Sequence, residues 1–133
     1  MFQSLAGIQV VDTTTLKWVE NIPFKASPLN TYFKWADPLG VAVYRRWLLS
    51  ANRHNNELMV VDRASARAVA RLSFAGAGQS LNTITVQGDR IYFGGEGAPT
   101  VYELDGRQLT RLVNRALRGG KTQTPVPVTL TVR

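Results

Sequence analysis

The chain has no cysteine and only one histidine, His54. The first absence removes disulfides, thiolate metal ligands and a cysteine nucleophile, and leaves the compartment open. The second leaves no donor set for zinc. A Ser-His-Asp triad would have to use His54, yet Gly78-Gln79-Ser80-Leu81-Asn82 lacks the second glycine of a G-x-S-x-G elbow. Set among Asn52, Arg53, Asn55 and Asn56, His54 reads as a solvent-facing turn residue. Long apolar runs are missing too, and nothing approaches the roughly 20 residues of a membrane span. No Lys or Arg precedes Lys17, so no secretory signal is expected in this stretch. Acid is missing from one end. From Gly106 onward there are six basic residues (Arg107, Arg111, Arg115, Arg118, Lys121 and Arg133) and no Asp or Glu. The preceding 105 residues carry ten basic and nine acidic side chains, so the net charge of +7 belongs mainly to the C-terminal stretch.

What is present is a globular composition, 133 residues with 44% hydrophobic and 19% charged side chains. That is the size of one ordinary domain with a real core. A short apolar phrase closed by aspartate recurs: Ile8-Gln9-Val10-Val11-Asp12, Leu58-Met59-Val60-Val61-Asp62 and Val101-Tyr102-Glu103-Leu104-Asp105. The first two copies align without a gap from Ile8–Phe24 to Leu58–Phe74, Asp62 lying 50 residues after Asp12. The third aspartate comes 43 residues later with a shorter turn, Asp105-Gly106-Arg107. Each copy reads as a strand, a turn begun by aspartate, and a second strand. Aspartate suits a turn start because its carboxylate accepts bonds from the backbone N–H groups just ahead of it.

Between these phrases lies a second repeated unit. Leu39 to Val43, a turn at Tyr44-Arg45-Arg46, and Trp47 to Asn52 form one round. Leu81 to Val86, a Gly88-Asp89 turn, and Arg90 to Gly94 form the next. Gly and Asn in such turns supply the positive φ that tight hairpins need. The order is two strands, then four, then four, with a period close to that of a propeller blade of about 40 to 50 residues. Lys25 to Pro38, with Tyr32, Phe33 and Trp35, reads as a longer connection, and Pro28 and Pro38 argue against a central strand there.

Val41 to Phe74 resembles a blade of the YVTN-type β-propellers, relatives of WD-repeat and quinoprotein propellers. The resemblance is carried by Leu49-Ser50-Ala51-Asn52-Arg53, Asn55-Asn56-Glu57-Leu58 and Val60-Val61-Asp62. It implies an all-β fold, a partial β-propeller of four-stranded antiparallel blades, with propeller-like blades over residues 1–105. These would be a half blade at 8–24 and blades at 39–74 and 81–105. Such propellers bind proteins, sugars, metals or redox cofactors, and the architecture does not choose among them. About two and a half blades leave sheet edges and a flat face uncovered, because even four blades of about 40 residues need a longer chain. The expectation is therefore a fragment, or an assembly completed by further copies or by a partner chain. Thr129-Leu130-Thr131-Val132 and the N-terminal half blade could pair across such a junction.

Residues 106–133 depart from the blade pattern. Leu109, Leu112, Val113, Ala116 and Leu117 follow a helical stripe, with Arg107, Arg111, Arg115 and Arg118 opposite. The periodicity predicts a short C-terminal amphipathic helix over 108–117, stopped by Gly119-Gly120. Its plainest use is to cap a blade edge, its arginines solvated; the basic face, with Lys121, could also meet nucleic acid or an anionic membrane. Thr122 to Pro127 reads as a linker held extended by Pro125 and Pro127.

The remaining motifs carry little chemistry. Gly120-Lys121-Thr122 comes after a helix instead of opening one, so it is a poor P-loop. Asp12-Thr13-Thr14-Thr15-Leu16-Lys17 is similar to a structural quinoprotein blade motif, with Leu16 in place of its glycine and Glu20 in place of its tryptophan. Trp18 and Trp47 lie in strand patterns and are expected in the core, which leaves Trp35 and Tyr32 as candidates for a sugar-stacking site. The expected function is a non-enzymatic interaction module without a cofactor. The alternatives are a carbohydrate-binding propeller formed by oligomerisation and a fragment of a periplasmic quinoprotein-like redox protein.

Overall fold

A computed structural model describes residues 7–23, 38–52, 56–74, 81–95 and 99–133. Tyr32, Trp35 and His54 lie outside the described residues. The elements in chain order are β1 (Gly7–Asp12), β2 (Lys17–Pro23), β3 (Pro38–Tyr44), β4 (Trp47–Asn52), β5 (Glu57–Asp62), β6 (Arg67–Ser73), β7 (Leu81–Gln87), β8 (Arg90–Gly95), β9 (Tyr102–Asp105), α1 (Gly106–Gly119), β10 (Pro125–Pro127) and β11 (Thr131–Val132). The fold is mostly β, as expected. Its strands form a two-stranded sheet β1-β2, a five-stranded sheet β10-β6-β5-β4-β3 and a four-stranded sheet β11-β9-β8-β7. All three sheets are open.

Hairpins β1–β2 and β5–β6 have the same geometry 50 residues apart. Ile8 faces Ile22 as Leu58 faces Leu72, and Val11 faces Trp18 as Val61 faces Ala68. Both strands bulge at one place, between Val10 and Val11 and between Val60 and Val61. Both turns close with a backbone bond, Leu16 N to Asp12 O at 2.7 Å and Ala66 N to Asp62 O at 2.9 Å. Leu16 and Ala66 are left-handed, at φ 57° and 56°. Asp12 Oδ1 accepts from the N–H groups of Thr14 and Thr15 at 2.7 and 3.1 Å. Asp62 Oδ2 accepts from Ser65 N at 2.9 Å.

Strands β3–β5 and β7–β9 correspond at an offset of 43 residues. Tyr44 faces Trp47 as Gln87 faces Arg90, and Trp47 faces Asp62 as Arg90 faces Asp105. The paths then part. Asp105 does not start a hairpin turn; its Oδ1 accepts from Arg107 N at 2.8 Å and caps α1. Turn and cap use the same local bond, so the residues downstream of the aspartate decide between them. After Asp62 comes a left-handed Ala66 and a β-patterned strand; after Asp105 comes a helical apolar stripe. Gly120, at φ 64°, ends the helix, and Lys121 N donates to Ala116 O at 2.9 Å.

With α1 inserted, β11 takes the position beside β9 that β6 holds beside β5. Thr131 faces Glu103 as Ala70 faces Val60. The terminal strand thus pairs inside the chain, on β9, and not with the N-terminal hairpin. The expected linker is also corrected: Pro125–Pro127 forms a short parallel strand on the outer edge of β6. Proline is tolerated there because an edge strand has one side without ladder bonds. Pro38 similarly opens β3, an edge strand.

The sheets are stacked. Tyr44, Leu49, Val60 and Leu72 of the five-stranded sheet share a core with Ile91, Phe93 and Leu104 of the four-stranded sheet and with Leu109, Val113 and Ala116 of α1. Phe74 and Phe93 meet at 5.0 Å between ring centroids. On the opposite face of the five-stranded sheet, Met59 and Val61 pack against Ile8 and Ile22 of the N-terminal hairpin. The alternation of β5, with Leu58 and Val60 on one side and Met59 and Val61 on the other, makes it the fully buried middle layer.

Candidate functional site

The two ends of this stack expose different chemistry. At the C-terminal end, the outward face of the four-stranded sheet carries a cleft of about 380 Å³ lined by Asp89, Arg90, Glu103, Asp105, Arg107 and Arg133, among others. Glu103 is buried at its centre. Its Oε1 accepts from Arg90 Nη1 at 2.6 Å, and its Oε2 accepts from Arg133 Nε. These bonds hold the Glu103 carboxyl below the usual range, Arg90 first and Arg133 second, and in turn raise Arg90. Asp89 is held low by the Tyr44 hydroxyl, which donates to Oδ1 at 2.8 Å, and by Arg45 at 2.9 Å. Arg107 approaches its other oxygen at 3.9 Å.

Glu103 and Asp89 are therefore ionised and engaged at neutral pH, far from the poise a general acid needs. Among the described residues no group of three or more His, Asp or Glu could hold a metal ion.

Tyr44 is a joint of the molecule. It is buried, stacks on Trp47 at 6.3 Å, and has Arg45 over its ring at 5.2 Å. Gly106 packs directly on its ring, and Gly106 N donates to Asp89 O at 2.7 Å. The start of α1 is thereby fixed between both larger sheets.

The helix presents its basic residues outward. Leu109, Val113 and Ala116 are buried against β6 and β9, while Arg107, Arg111, Arg115 and Arg118 are exposed, as is Lys121 beyond the cap. Most of the apolar stripe is used in the core, and Leu117 alone of it stays about half exposed. No helix is long and apolar enough to cross a membrane among the described residues.

The N-terminal hairpin exposes both polar and apolar side chains. Among the described residues β1 pairs with β2 alone. Val11, Val19 and Trp18 are exposed on this hairpin, Trp18 to 63%, and Val41 and Val43 on β3 are about half exposed at 50% and 49%. The expectation that Trp18 packs in the core is corrected: its indole Nε1 donates to Gln9 Oε1 at 2.8 Å on the surface. Trp47, by contrast, is buried as expected. Sequence reasoning missed the exposure of Val41 and Val43 on β3. Its signal was the alternation of Val41 and Val43 along β3.

No family model matches this chain, and no curated protein is detectably similar to it in sequence.

Proposed function

We propose that this chain is a non-enzymatic interaction module, a partial propeller-like stack completed by another protein chain. One observation supports the reading: Val11, Trp18, Val41 and Val43 are large apolar side chains left about half exposed or more, on a hairpin that has two strands among the described residues and on β3. Exposed apolar side chains of this size are surface that a solitary soluble unit has reason to avoid. Sedimentation velocity of the purified chain tests the proposal. Association that grows over the micromolar range, and that V41K/V43K suppresses, supports it. A monodisperse monomer that binds no other chain contradicts it.

A second reading has its own support, the row Arg107, Arg111, Arg115 and Arg118 on a helix without an acidic residue in its first turn. That row suits the phosphates of a nucleic acid better than a membrane, since most of the apolar stripe of α1 is already buried in the core. RNA affinity that falls steeply with added salt supports it; affinity that ignores salt removes it.

A further inference from the structure

We infer that the arginine row of α1 and the outward face of the four-stranded sheet form one track for single-stranded nucleic acid, with phosphates along the helix and a base stacked on Tyr92. This inference rests on the nucleic-acid reading above and specifies the form of the ligand.

The helix supplies the charge. At about 100° and 1.5 Å per residue, Arg107, Arg111, Arg115 and Arg118 fall within a stripe about 80° wide and about 16 Å long. All four are exposed. Leu109, Val113 and Ala116 on the other side are buried, so core packing fixes which way the row faces. No Asp or Glu occurs from Gly106 to Arg133, so the helix brings no acid of its own to neutralise the row. Lys121, exposed just beyond the Gly120 cap, extends it. A file of cations this narrow lies along one phosphate strand.

Arg107 joins the row to the sheet, because it lines the same cleft as Arg90 and Arg133. The acid in that cleft does not repel a phosphate strand. The Glu103 side chain is 7% exposed, while those of Arg90 and Arg133, which donate to it, are 59% and 54% exposed. The cluster therefore shows water two guanidinium groups over one hidden carboxylate, and each guanidinium keeps further N–H donors. Asp89 is likewise flanked by two cations, Arg45 and Arg107.

The sheet supplies an aromatic surface. Ile91 and Phe93 are buried in the inter-sheet core, so the alternate residues of β8, Arg90 and Tyr92, point outward. Tyr92 is partly exposed. Its register partners are Thr85 on β7 and the clamped Glu103 on β9, with Thr131 of β11 beyond. Thr85 and Thr131 are exposed. The ring thus has a short side chain on one flank and the arginine clamp on the other. Stacking accepts any base, but a duplex hides its base faces, so ring and cations on one face select an unpaired strand.

The test titrates a labelled oligouridine of about twelve nucleotides with the full chain and reads fluorescence anisotropy. We expect saturable binding that weakens at least about tenfold as salt rises from about 50 to 200 mM. Arg115→Glu should weaken it about tenfold, while Lys17→Glu, the same charge change on the N-terminal hairpin, should shift it less than about twofold. Tyr92→Ala should weaken binding about fivefold or more, and Tyr92→Phe should keep it, because stacking needs the ring and not the hydroxyl. Irradiation of the native chain with a 5-iodouridine strand should cross-link Tyr92, a readout that needs no variant to fold. A GC-rich duplex of the same length should bind more weakly. Full affinity in Tyr92→Ala with no cross-link at Tyr92, a duplex bound as tightly as the single strand, or stronger binding to phosphatidylserine vesicles than to RNA overturns the inference. In the first two cases, salt-sensitive binding that Arg115→Glu still weakens leaves the nucleic-acid reading standing. If neither strand nor duplex binds, or Arg115→Glu has no effect, both fall.

Discussion

Two faces of the stack occupy equivalent pleat positions and carry opposite chemistry. On the five-stranded sheet, Trp47, Val60 and Ala70 are buried in the inter-sheet core. On the four-stranded sheet the same positions hold Arg90, Glu103 and Thr131, and the face ends in a buried carboxylate clamped by two arginines. One residue set calls for another sheet; the other satisfies itself and meets water. Repeat stacks need such a polar terminal face to stay soluble. The N-terminal end is mixed, with Gln9, Asn21 and the Trp18 indole hydrogen-bonded on the surface and Val11, Val41 and Val43 about half exposed. The two ends therefore differ in chemistry, one closed by a buried ion cluster and one with exposed valines.

Breaking the buried interface should have the largest effect. Phe93→Ala removes the ring that meets Phe74 between the sheets and should cost about 3–5 kcal/mol in urea unfolding. Gly106→Ala comes next. The new Cβ would run into the Tyr44 ring, with backbone fixed on one side and a packed aromatic on the other, for a loss of about 1–3 kcal/mol. Asp105→Ala removes the cap of α1 and should cost about 1 kcal/mol, read as earlier loss of helical circular dichroism. At the small end, Val43→Ala should change the stability of the isolated chain by less than about 0.5 kcal/mol, because the side chain is already half exposed. A large loss at Val43, or a small one at Phe93, would erase the contrast between the faces.

The polar end should also respond to acid. Glu103 and Asp89 are held below their ordinary values of 4.5 and 3.8, and Asp62, bonded by the Ser65 amide, below 3.8. A carboxyl whose folded pKa is depressed contributes stability above its unfolded value and loses it as pH falls through the folded one. Unfolding midpoints should therefore hold steady from neutrality to about pH 5 and drop below about pH 4. Glu103→Gln should flatten that drop, as measured by denaturation at pH 3 and pH 7.

Much of this arrangement was legible in the residues. The aspartate-closed phrases located β1, β5 and β9 because an apolar run closed by a turn-forming carboxylate is a local signal, and the stripe from Leu109 to Ala116 located α1. Equally local logic misplaced Trp18, since a tryptophan in a strand pattern looks like core until the missing neighbour strands are known. The strand at Pro125–Pro127 escaped notice because two prolines hide an edge pairing that needs few N–H donors. Glu103 was read as part of a repeated phrase; its clamp joins Arg90 to Arg133, 43 residues apart, and no local pattern announces it. The sugar-stacking candidates Trp35 and Tyr32 lie outside the described residues, so neither end of the stack bears on them.

Residue-resolved hydrogen exchange on the isolated chain tests the unequal ends most directly, by setting β1 against its counterpart β5. Among the described residues, strand β5 is paired on both sides and β1 on one. All backbone amides of β5 should exchange slowly, while β1, with one partner strand among the described residues, should exchange faster as a set. Uniform protection along β1, matching that of β5, would contradict the account.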